Sequence, residues 1–513
     1  MGRGSLFGKD RICAVAAAPT AREMWRQARR ALKYTRTIEL RMDWLKSDGE
    51  RLFLISELKL SRLRGTFIAT FRRRQAGGRY AGDISNQVVY LAFAIRAGCK
   101  WCDLEVESVA GWSLEGIHRM TSRARRILSG HSFAGTPASA KLGMLSRIVE
   151  KARKTAGMDA IKIAMQCETL AESVRVLDLA RGKRNVIAVP MGEAATPARI
   201  LALREGSALA YAPVETATAP GQVSLEEMKN LYRADKLDRH TRVYGVIGNP
   251  VGHSLSPVLQ NVGFQAGRVN AVYLPFQVKD LPDFLGVIER LGIKGFSVTL
   301  PHKERMLRHL DECDPLAAAI GAVNTVVVRG AGKLYGYNTD YVGVLRALER
   351  RIPIAGSRVL IYGAGGAARA VAFALERGGA SVAVCARRLE KAKKLARAVH
   401  GEVIPRPRLR REYFDATVNA TPVGMHPNED RSPLEARELN CRLVFDLIYR
   451  PRETKLLKLA ARRGIETVSG VEMFLAQGIA QWEIWMGERA PEKAMRKAVL
   501  QALRKEEMGR AKR

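Results

Sequence analysis

Cysteine is scarce, with seven residues in a chain of 513. That excludes the disulfide framework of a small secreted scaffold. Cys99 and Cys102 have redox spacing in CKWC, but the string opens an apolar segment instead of a helix that follows a strand. There is no second CxxC and no nearby histidine to complete a zinc site, so the pair reads as two buried structural thiols and no metal is expected. Long apolar runs are missing too: nothing approaches the roughly 20 residues that a membrane helix needs. The opening MGRGSLFGKDR lacks the apolar stretch of a secretory signal. The expectation is a soluble, cytoplasmic protein with no membrane partner. Acidic side chains are in deficit, 51 Asp and Glu against 85 Lys and Arg, for a formal net charge of +34. A basic surface can bind nucleic acid. Here the positive charge is spread over the whole chain, much of it on amphipathic segments, and no zinc-finger, RNA-recognition or basic-zipper pattern accompanies it. No nucleic-acid partner is therefore expected. The excess reads as a coding bias towards Arg that also attracts anionic substrates and phosphorylated cofactors.

What is present is a long alternation of strand and helix. The length calls for at least two domains. The first part offers candidate strands at 12–16, 37–42, 66–71, 101–106, 126–129, 160–164, 185–189 and 208–212. Eight units at a spacing of roughly 28 residues fit a (β/α)8 barrel, whose chemistry belongs at the C-terminal ends of its strands. The charged, helix-like run 223–239 reads as a last barrel helix entering a connector. A second α/β region begins at VYGVIGNPVGHSLSP and a third at SRVLIYGAGGAARAV, with a final helical stretch over 471–507. The expected division is 1–223 for the barrel, 224–241 for the connector, 242–344 for a substrate domain, 345–470 for a Rossmann-type nucleotide domain, and 471–513 for C-terminal helices.

The third region carries a nucleotide site. The β-branched run 358–362 is followed by Gly363, Ala364, Gly365, Gly366 and Ala367, then by a helix-like ARAVAFALERG. Strand, glycine turn and helix let the backbone approach a pyrophosphate and aim the helix N-terminus at it. In an NAD site the next strand, 381–385, would end in an acid for the ribose hydroxyl. Here it ends in Arg387 and Arg388, with Lys391 one turn on, which suits a ribose 2′-phosphate and makes NADP the expected cofactor.

Further motifs run in order through the second half: GNPVGHSLSP, SVTLPHK, AVNT, GYNTD, GAGGAA, NATPVGM, DLIYRP and VSGVEMFLAQG. From about Val243 to Gly487 the chain resembles shikimate dehydrogenases. The resemblance implies that Ser254 and Ser256 hold the substrate carboxylate. It makes Thr299, Asn324 and Gln477 partners of the ring hydroxyls with Tyr449 beside them, Gly470 part of the cofactor site, and Lys303 with Asp340 the catalytic pair. A lysine with a carboxylate partner can hold a substrate oxygen and handle its proton while hydride moves to the ring carbon. Ser297 and Ala386 stand where many members have Asn, and Gln260 where His is common.

The first half, from about Ile12 to Gln222, resembles type I 3-dehydroquinate dehydratases through ELRMD, TFRRRQAGG, SGHSF, KIAM, the Arg after PMGEAATPA, and TATAPGQ. The resemblance implies that Lys162 forms a Schiff base, that His131 is general base and acid, that Arg199 clamps a carboxylate, and that Glu39, Arg41, Arg72, Thr218 and Gln222 are further substrate contacts. A lysine on an apolar strand is buried, and burial favours the neutral amine that attacks a ketone. Ala76 stands where many members carry the Glu that orients the histidine, and Asp103 or Glu105 are candidates to replace it. Both halves together imply consecutive steps, dehydration of 3-dehydroquinate and NADPH reduction of 3-dehydroshikimate. Open alternatives are a barrel that has become structural, leaving only the dehydrogenase, and a quinate-preferring dehydrogenase.

Overall fold

The computed structural model describes residues 6–61, 63–110, 113–133, 143, 157–215 and 221–511. It divides into two compact units, one of residues 1–241 with 275–288 and one of residues 242–274 with 289–513.

The first unit is the barrel. Its strands are β1 (Ile12–Ala16), β2 (Thr37–Arg41), β3 (Thr66–Thr70), β4 (Trp101–Glu105), β5 (Arg125–Ser132), β6 (Ala160–Gln166), β7 (Val186–Met191) and β8 (Ala210–Pro213). They hydrogen-bond in the order β7-β6-β5-β4-β3-β2-β1-β8, and the paired strands are parallel. The two ends of this sheet meet where the Ala208 N–H donates to Val186 O at 2.8 Å. All eight expected strands are present. β5 runs further than its apolar core suggested, because polar residues through Ser132 pair in register with β6. Alternation puts every second side chain of a strand on the inner face. That face receives Glu39 and Arg41, Asp103 and Glu105, and Ser129 and His131, all buried. The run after residue 223 is not a regular α-helix. It forms a π-helical turn over Glu227–Leu231 and a 3-10 turn over Ala234–Lys236, divided by Arg233 at φ 49°.

The second unit holds two sheets, apart from the last three residues of β10, which fall in the first. The first contains β9 (Arg242–Gly248), β10 (Ala271–Gln277), β11 (Ile293–Val298), β12 (Glu312–Cys313), β13 (Thr325–Val328) and β14 (Leu334–Tyr337), ordered β10-β9-β11-β13-β14-β12. The second contains β15 (Arg358–Tyr362), β16 (Ser381–Cys385), β17 (Glu402–Val403), β18 (Phe414–Asn419), β19 (Cys441–Asp446) and β20 (Glu466–Ser469). Its strands are parallel in the order β17-β16-β15-β18-β19-β20. The order reverses between β15 and β18, the switch point where an open α/β sheet binds its ligand. The C-terminal helical stretch is two helices, Gly470–Met486 and Glu492–Ala511. Gly487, at φ 73°, ends the first in the left-handed conformation that glycine adopts without steric cost. No helix among the described residues is long and apolar enough to cross a membrane. No disulfide joins the cysteines among the described residues, and burial raises the thiols of Cys99 and Cys102.

Candidate active sites

Lys162 stands on β6 with its side chain 4% exposed. Its surroundings are not simply apolar. Its Nζ lies 3.4 Å from Glu39 Oε1, forms an ion pair with Asp103, and sits 4.8 Å from the centroid of the Tyr211 ring. Asp103 also accepts from Arg72 at 3.2 Å and from Ser129 Oγ at 2.5 Å, while Glu39 accepts from Thr70 Oγ1 at 2.8 Å. These groups spread two negative charges over a cluster with two cations, which reduces the cost of burying each charge. The pairing with Lys162 and Arg72 holds the Asp103 carboxyl well below its ordinary range against the opposing effect of burial.

His131 lies one alternation beyond Ser129 on β5, and its ring stacks on Phe133 at a centroid distance of 6.2 Å. Burial, with Arg72 and Lys162 nearby, pushes its pKa well below 6.5, so it is a neutral imidazole at neutral pH. Its Nδ1 has no hydrogen-bond partner among the described residues. Neither acid considered as a stand-in for the one absent at position 76 bonds that nitrogen. Asp103 is committed to Lys162, Arg72 and Ser129. Glu105 accepts from the Arg73 backbone at 2.9 Å, the Arg73 side chain at 3.3 Å and Ser108 at 3.2 Å. Ala76 itself is buried.

Arg199 is buried on the short helix Thr196–Leu201 and donates to Pro190 O at 3.1 Å. Among the described residues it has no carboxylate partner, and burial lowers its pKa from 12.5 to about 10. A buried guanidinium without a counter-ion is a place for an anion. Arg41 is held by a bidentate pair to Asp43, at 2.9 and 2.8 Å. Gln222 is half-buried beyond β8. Thr218 lies outside the described residues.

In the second unit, Lys303 Nζ lies 2.6 Å from Asp340 Oδ2. Asp340 is the first residue of the helix Asp340–Leu348, where the N-terminal end of the helix favours a carboxylate. Its other oxygen accepts from Asn324 Nδ2 at 2.8 Å, and its backbone N–H donates to Asn338 Oδ1 at 3.0 Å. Asn324 Oδ1 is fixed in turn by the Thr339 N–H at 2.7 Å and Thr325 Oγ1 at 2.8 Å. Ser254 Oγ accepts from the Ser256 N–H at 3.2 Å, at the start of the helix Ser256–Ala266. Thr299 follows β11, and its N–H donates to Ile247 O at 3.0 Å. Gln477 donates to Phe474 O at 2.9 Å, and Tyr449 stacks on Phe474 at 4.9 Å. Gly343, on the Asp340 helix, has no room for a side chain: an added Cβ would stand 2.9 Å from Met473 O and 3.2 Å from Gln477 Cβ. The Asp340 helix and the Gln477 helix therefore touch at backbone distance.

The residues around β15 fit a dinucleotide. Gly363 has φ 129°, and a Cβ there would approach Ala420 O to 2.9 Å. Gly365 caps the helix Gly366–Arg377, and an added Cβ at Gly365 would meet nothing within 4 Å. That leaves an open helix N-terminus flanked by Ala364 and Ala367, short enough for an anion to come close. Arg387, Arg388 and Lys391 are exposed beyond β16 and close no ion pair among the described residues. At Gly470 a side chain would collide with Leu447 O at 2.3 Å.

The sequence did not single out Tyr211, Thr70 or Ser129. Period-two alternation on β3 and β5 is the signal that points Thr70 and Ser129 inward with the charged residues.

A family model described as type I 3-dehydroquinase matches residues 12–239. A model of the shikimate dehydrogenase substrate binding domain matches 246–326, and one of the shikimate 5′-dehydrogenase C-terminal domain matches 470–500. The chain is 34% identical over 479 residues to a bifunctional 3-dehydroquinate dehydratase/shikimate dehydrogenase, chloroplastic, of Arabidopsis thaliana, covering 88% of this chain and 78% of that one. It is 44% identical over 271 residues to the NADP(+) shikimate dehydrogenase of Thermococcus kodakarensis, covering 52% of this chain and 98% of that one. A crystal structure of shikimate 5-dehydrogenase from Thermus thermophilus, in complex with NADP(H) and shikimate, is 36% identical with a TM-score of 0.48, covering 51% of this chain and 99% of that one. A lysine-bearing barrel and a Lys–Asp pair beside a dinucleotide fold define a lyase joined to an NADP-dependent oxidoreductase. The chain belongs to the family of bifunctional 3-dehydroquinate dehydratases/shikimate dehydrogenases, enzymes of the shikimate pathway.

Proposed function

We propose that the barrel, residues 1–223, dehydrates 3-dehydroquinate through Lys162, and that the portion from 242 reduces the product through Lys303 and Asp340. Of this portion, 242–344 would bind substrate, 345–470 would bind NADP and 471–513 would complete it, with 224–241 as connector. The observation that carries the reading is the placement of a buried amine, a neutral imidazole and a buried guanidinium with no carboxylate partner among the described residues in one barrel. The substrate carboxylate pairs with Arg199, and Glu39, Arg41, Arg72, Thr218 and Gln222 engage the hydroxyls. Lys162 passes a proton to the Asp103–Glu39 pair and attacks the ketone as the neutral amine; the carbinolamine oxygen takes that proton back and leaves as water, giving the imine. His131 removes a proton from the adjacent carbon to give an enamine, then returns it to the departing hydroxyl, which leaves as water. Hydrolysis of the imine frees 3-dehydroshikimate and Lys162. Asp103 and Glu39 hold the lysine nitrogen along this path.

At the second site Ser254 and Ser256 bind the carboxylate, and Thr299, Asn324, Tyr449 and Gln477 orient the ring. Lys303 holds the carbonyl oxygen and protonates it as it becomes a hydroxyl, with Asp340 fixing the ammonium. NADPH, when bound, supplies the hydride; Gly363 to Ala367 would hold its pyrophosphate, Arg387, Arg388 and Lys391 its 2′-phosphate, and Gly470 a further contact. Seven cysteines without a disulfide among the described residues suit a reducing compartment such as the cytoplasm.

The test is borohydride trapping of the whole chain with 3-dehydroquinate. A covalent adduct is expected on Lys162, abolished in Lys162→Ala, with NADPH oxidation by 3-dehydroshikimate retained in that variant. Absence of an adduct in the unmodified protein would refute the imine pathway and leave only the reductase.

A further inference from the structure

Arg450, to which no role has yet been given, ties together two loops that each carry a proposed substrate contact. One loop follows β19, where Tyr449 is its chain neighbour. The other follows β9, where His253 stands directly before Ser254. The Arg450 side chain is 15% exposed. Its Nη1 donates to the backbone carbonyl of His253, and its Nη2 donates at 2.6 Å to Glu506 Oε1 on the helix Glu492–Ala511. The guanidinium carbon lies 5.8 Å from the centroid of the Tyr449 ring. One side chain thus joins a loop of the substrate sheet, a loop of the nucleotide sheet and the C-terminal helix, all of them in the second unit.

This link needs an arginine. A guanidinium is a rigid planar fork, so its two ends hold His253 and Glu506 at a set separation, whereas an ammonium is a point charge on a flexible stem. Glu506 balances the charge, which lets the group stand mostly out of water. The glutamate's helix is itself fixed: Met495, Val499 and Leu503 share one buried core with Leu255 and Leu259, which follow Ser254 in the chain. The Nε–H of Arg450 is buried with no hydrogen-bond partner. A long side chain turned into water would satisfy every donor, so holding this one inward carries a cost that its two bonds must offset. Ser254 meanwhile stays available to an anion. Its Oγ accepts from the Ser256 N–H, so its own proton remains to be donated to a carboxylate.

We propose that Arg450 is a positioning residue that sets the separation of Ser254 and Tyr449 across the substrate, with Glu506 holding it in that role. The proposal rests on the reading of Ser254 as a carboxylate contact. It gives the C-terminal helix a part in substrate binding through a side chain that touches no substrate.

The experiment uses the full chain with NADPH and 3-dehydroshikimate. It compares Arg450→Met, Arg450→Lys, Glu506→Gln, Ser254→Ala and the double variant Arg450→Met/Glu506→Gln. Loss of charge-assisted hydrogen bonds predicts that Arg450→Met raises KM for 3-dehydroshikimate about tenfold and Glu506→Gln about threefold. KM for NADPH should stay unchanged. Arg450→Lys, which keeps the charge and loses the fork, should stay closer to Arg450→Met than to the parent chain. The double variant should be no worse than Arg450→Met, because Glu506 acts only through the arginine. A substrate KM unaltered by Arg450→Met, with Ser254→Ala clearly impaired, would overturn the link and leave the carboxylate contact standing. A KM unaltered by Ser254→Ala would overturn the carboxylate reading itself. Equal rises in both KM values with Arg450→Met would mean that the arginine supports the whole unit, which also overturns the proposal. If Arg450→Met does not fold, Glu506→Gln decides the matter, since it exchanges one oxygen for an NH2 on a side chain 37% exposed, and an unaltered KM there overturns the proposal.

Discussion

At the scale of single residues, the chemistry proposed for the barrel turns on keeping one imidazole neutral beside a cluster of cations. Burial is the main reason the His131 pKa is low, and Arg72 is the first of the charges that lower it further. A base works only above its own pKa, so if His131 is the base, as proposed, activity in acid should be lost as it takes up a proton. Removing the Arg72 charge relieves part of the repulsion and raises the histidine pKa towards 6.5. Arg72→Met should therefore move the acid limb of the dehydratase kcat/KM profile to higher pH, in addition to weakening substrate binding. The profile from product absorbance checks this, and an unmoved limb would remove His131 from the role of titrating base. Much of this cluster was legible in the chain. A lysine, a histidine and paired acids at alternate positions of apolar strands have nowhere to point but inward. What could not be read was which acid meets which base. Asp103 and Glu105 are two residues apart on one strand, and only the fold separates the Lys162 partner from the Arg73 partner.

At the scale of elements, alternation and glycine placement identified the strands of the barrel and the strand–turn–helix around Gly363, because backbone geometry and burial impose them locally. The run after 223 and the C-terminal stretch were less legible. Their charge pattern is helical, whereas the breaks depend on single backbone angles at Arg233 and Gly487. The end of β19 shows an element tied down by one buried acid. Asp446 is 0% exposed and accepts from Thr454 Oγ1 at 2.6 Å, Asn419 Nδ2 at 2.9 Å and the Ile448 N–H at 3.1 Å. Burial outweighs these bonds and raises its pKa from 3.8 to about 6. Between those values the folded chain keeps a proton that the unfolded chain releases. Asp446 therefore contributes most at low pH, and its contribution falls as pH rises through that window, then levels off. The fall is about 2–3 kcal/mol. Denaturant unfolding from about pH 4 to about pH 7 should show Asp446→Asn losing that decline relative to the parent chain. Parallel pH profiles for the two proteins would reject the buried, protonated acid.

At the scale of the whole molecule, the two sites share no described residue. The residues proposed for the barrel site run from Glu39 to Gln222 in one compact unit, and those proposed for the reductase from Ser254 to Gln477 in the other. On the proposed reading each set of residues belongs to one unit, so damage to one set should leave the other working. The product of the first reaction carries a carboxylate, which the second site is proposed to bind, and the net charge of +34 favours the approach of such an anion. Lys162→Ala and Lys303→Ala chains should each fail to oxidise NADPH when given 3-dehydroquinate alone. Mixed, they should recover it, since 3-dehydroshikimate released by the Lys303→Ala chain is captured by the Lys162→Ala chain. The progress curve of the mixture should begin with a lag while the intermediate accumulates, and the lag should shorten as more Lys162→Ala chain is added. The NADPH absorbance decides the question directly. No recovery, with each variant still performing its own half-reaction, would mean that the intermediate stays with the chain that made it, and the two sites would have to be treated as one.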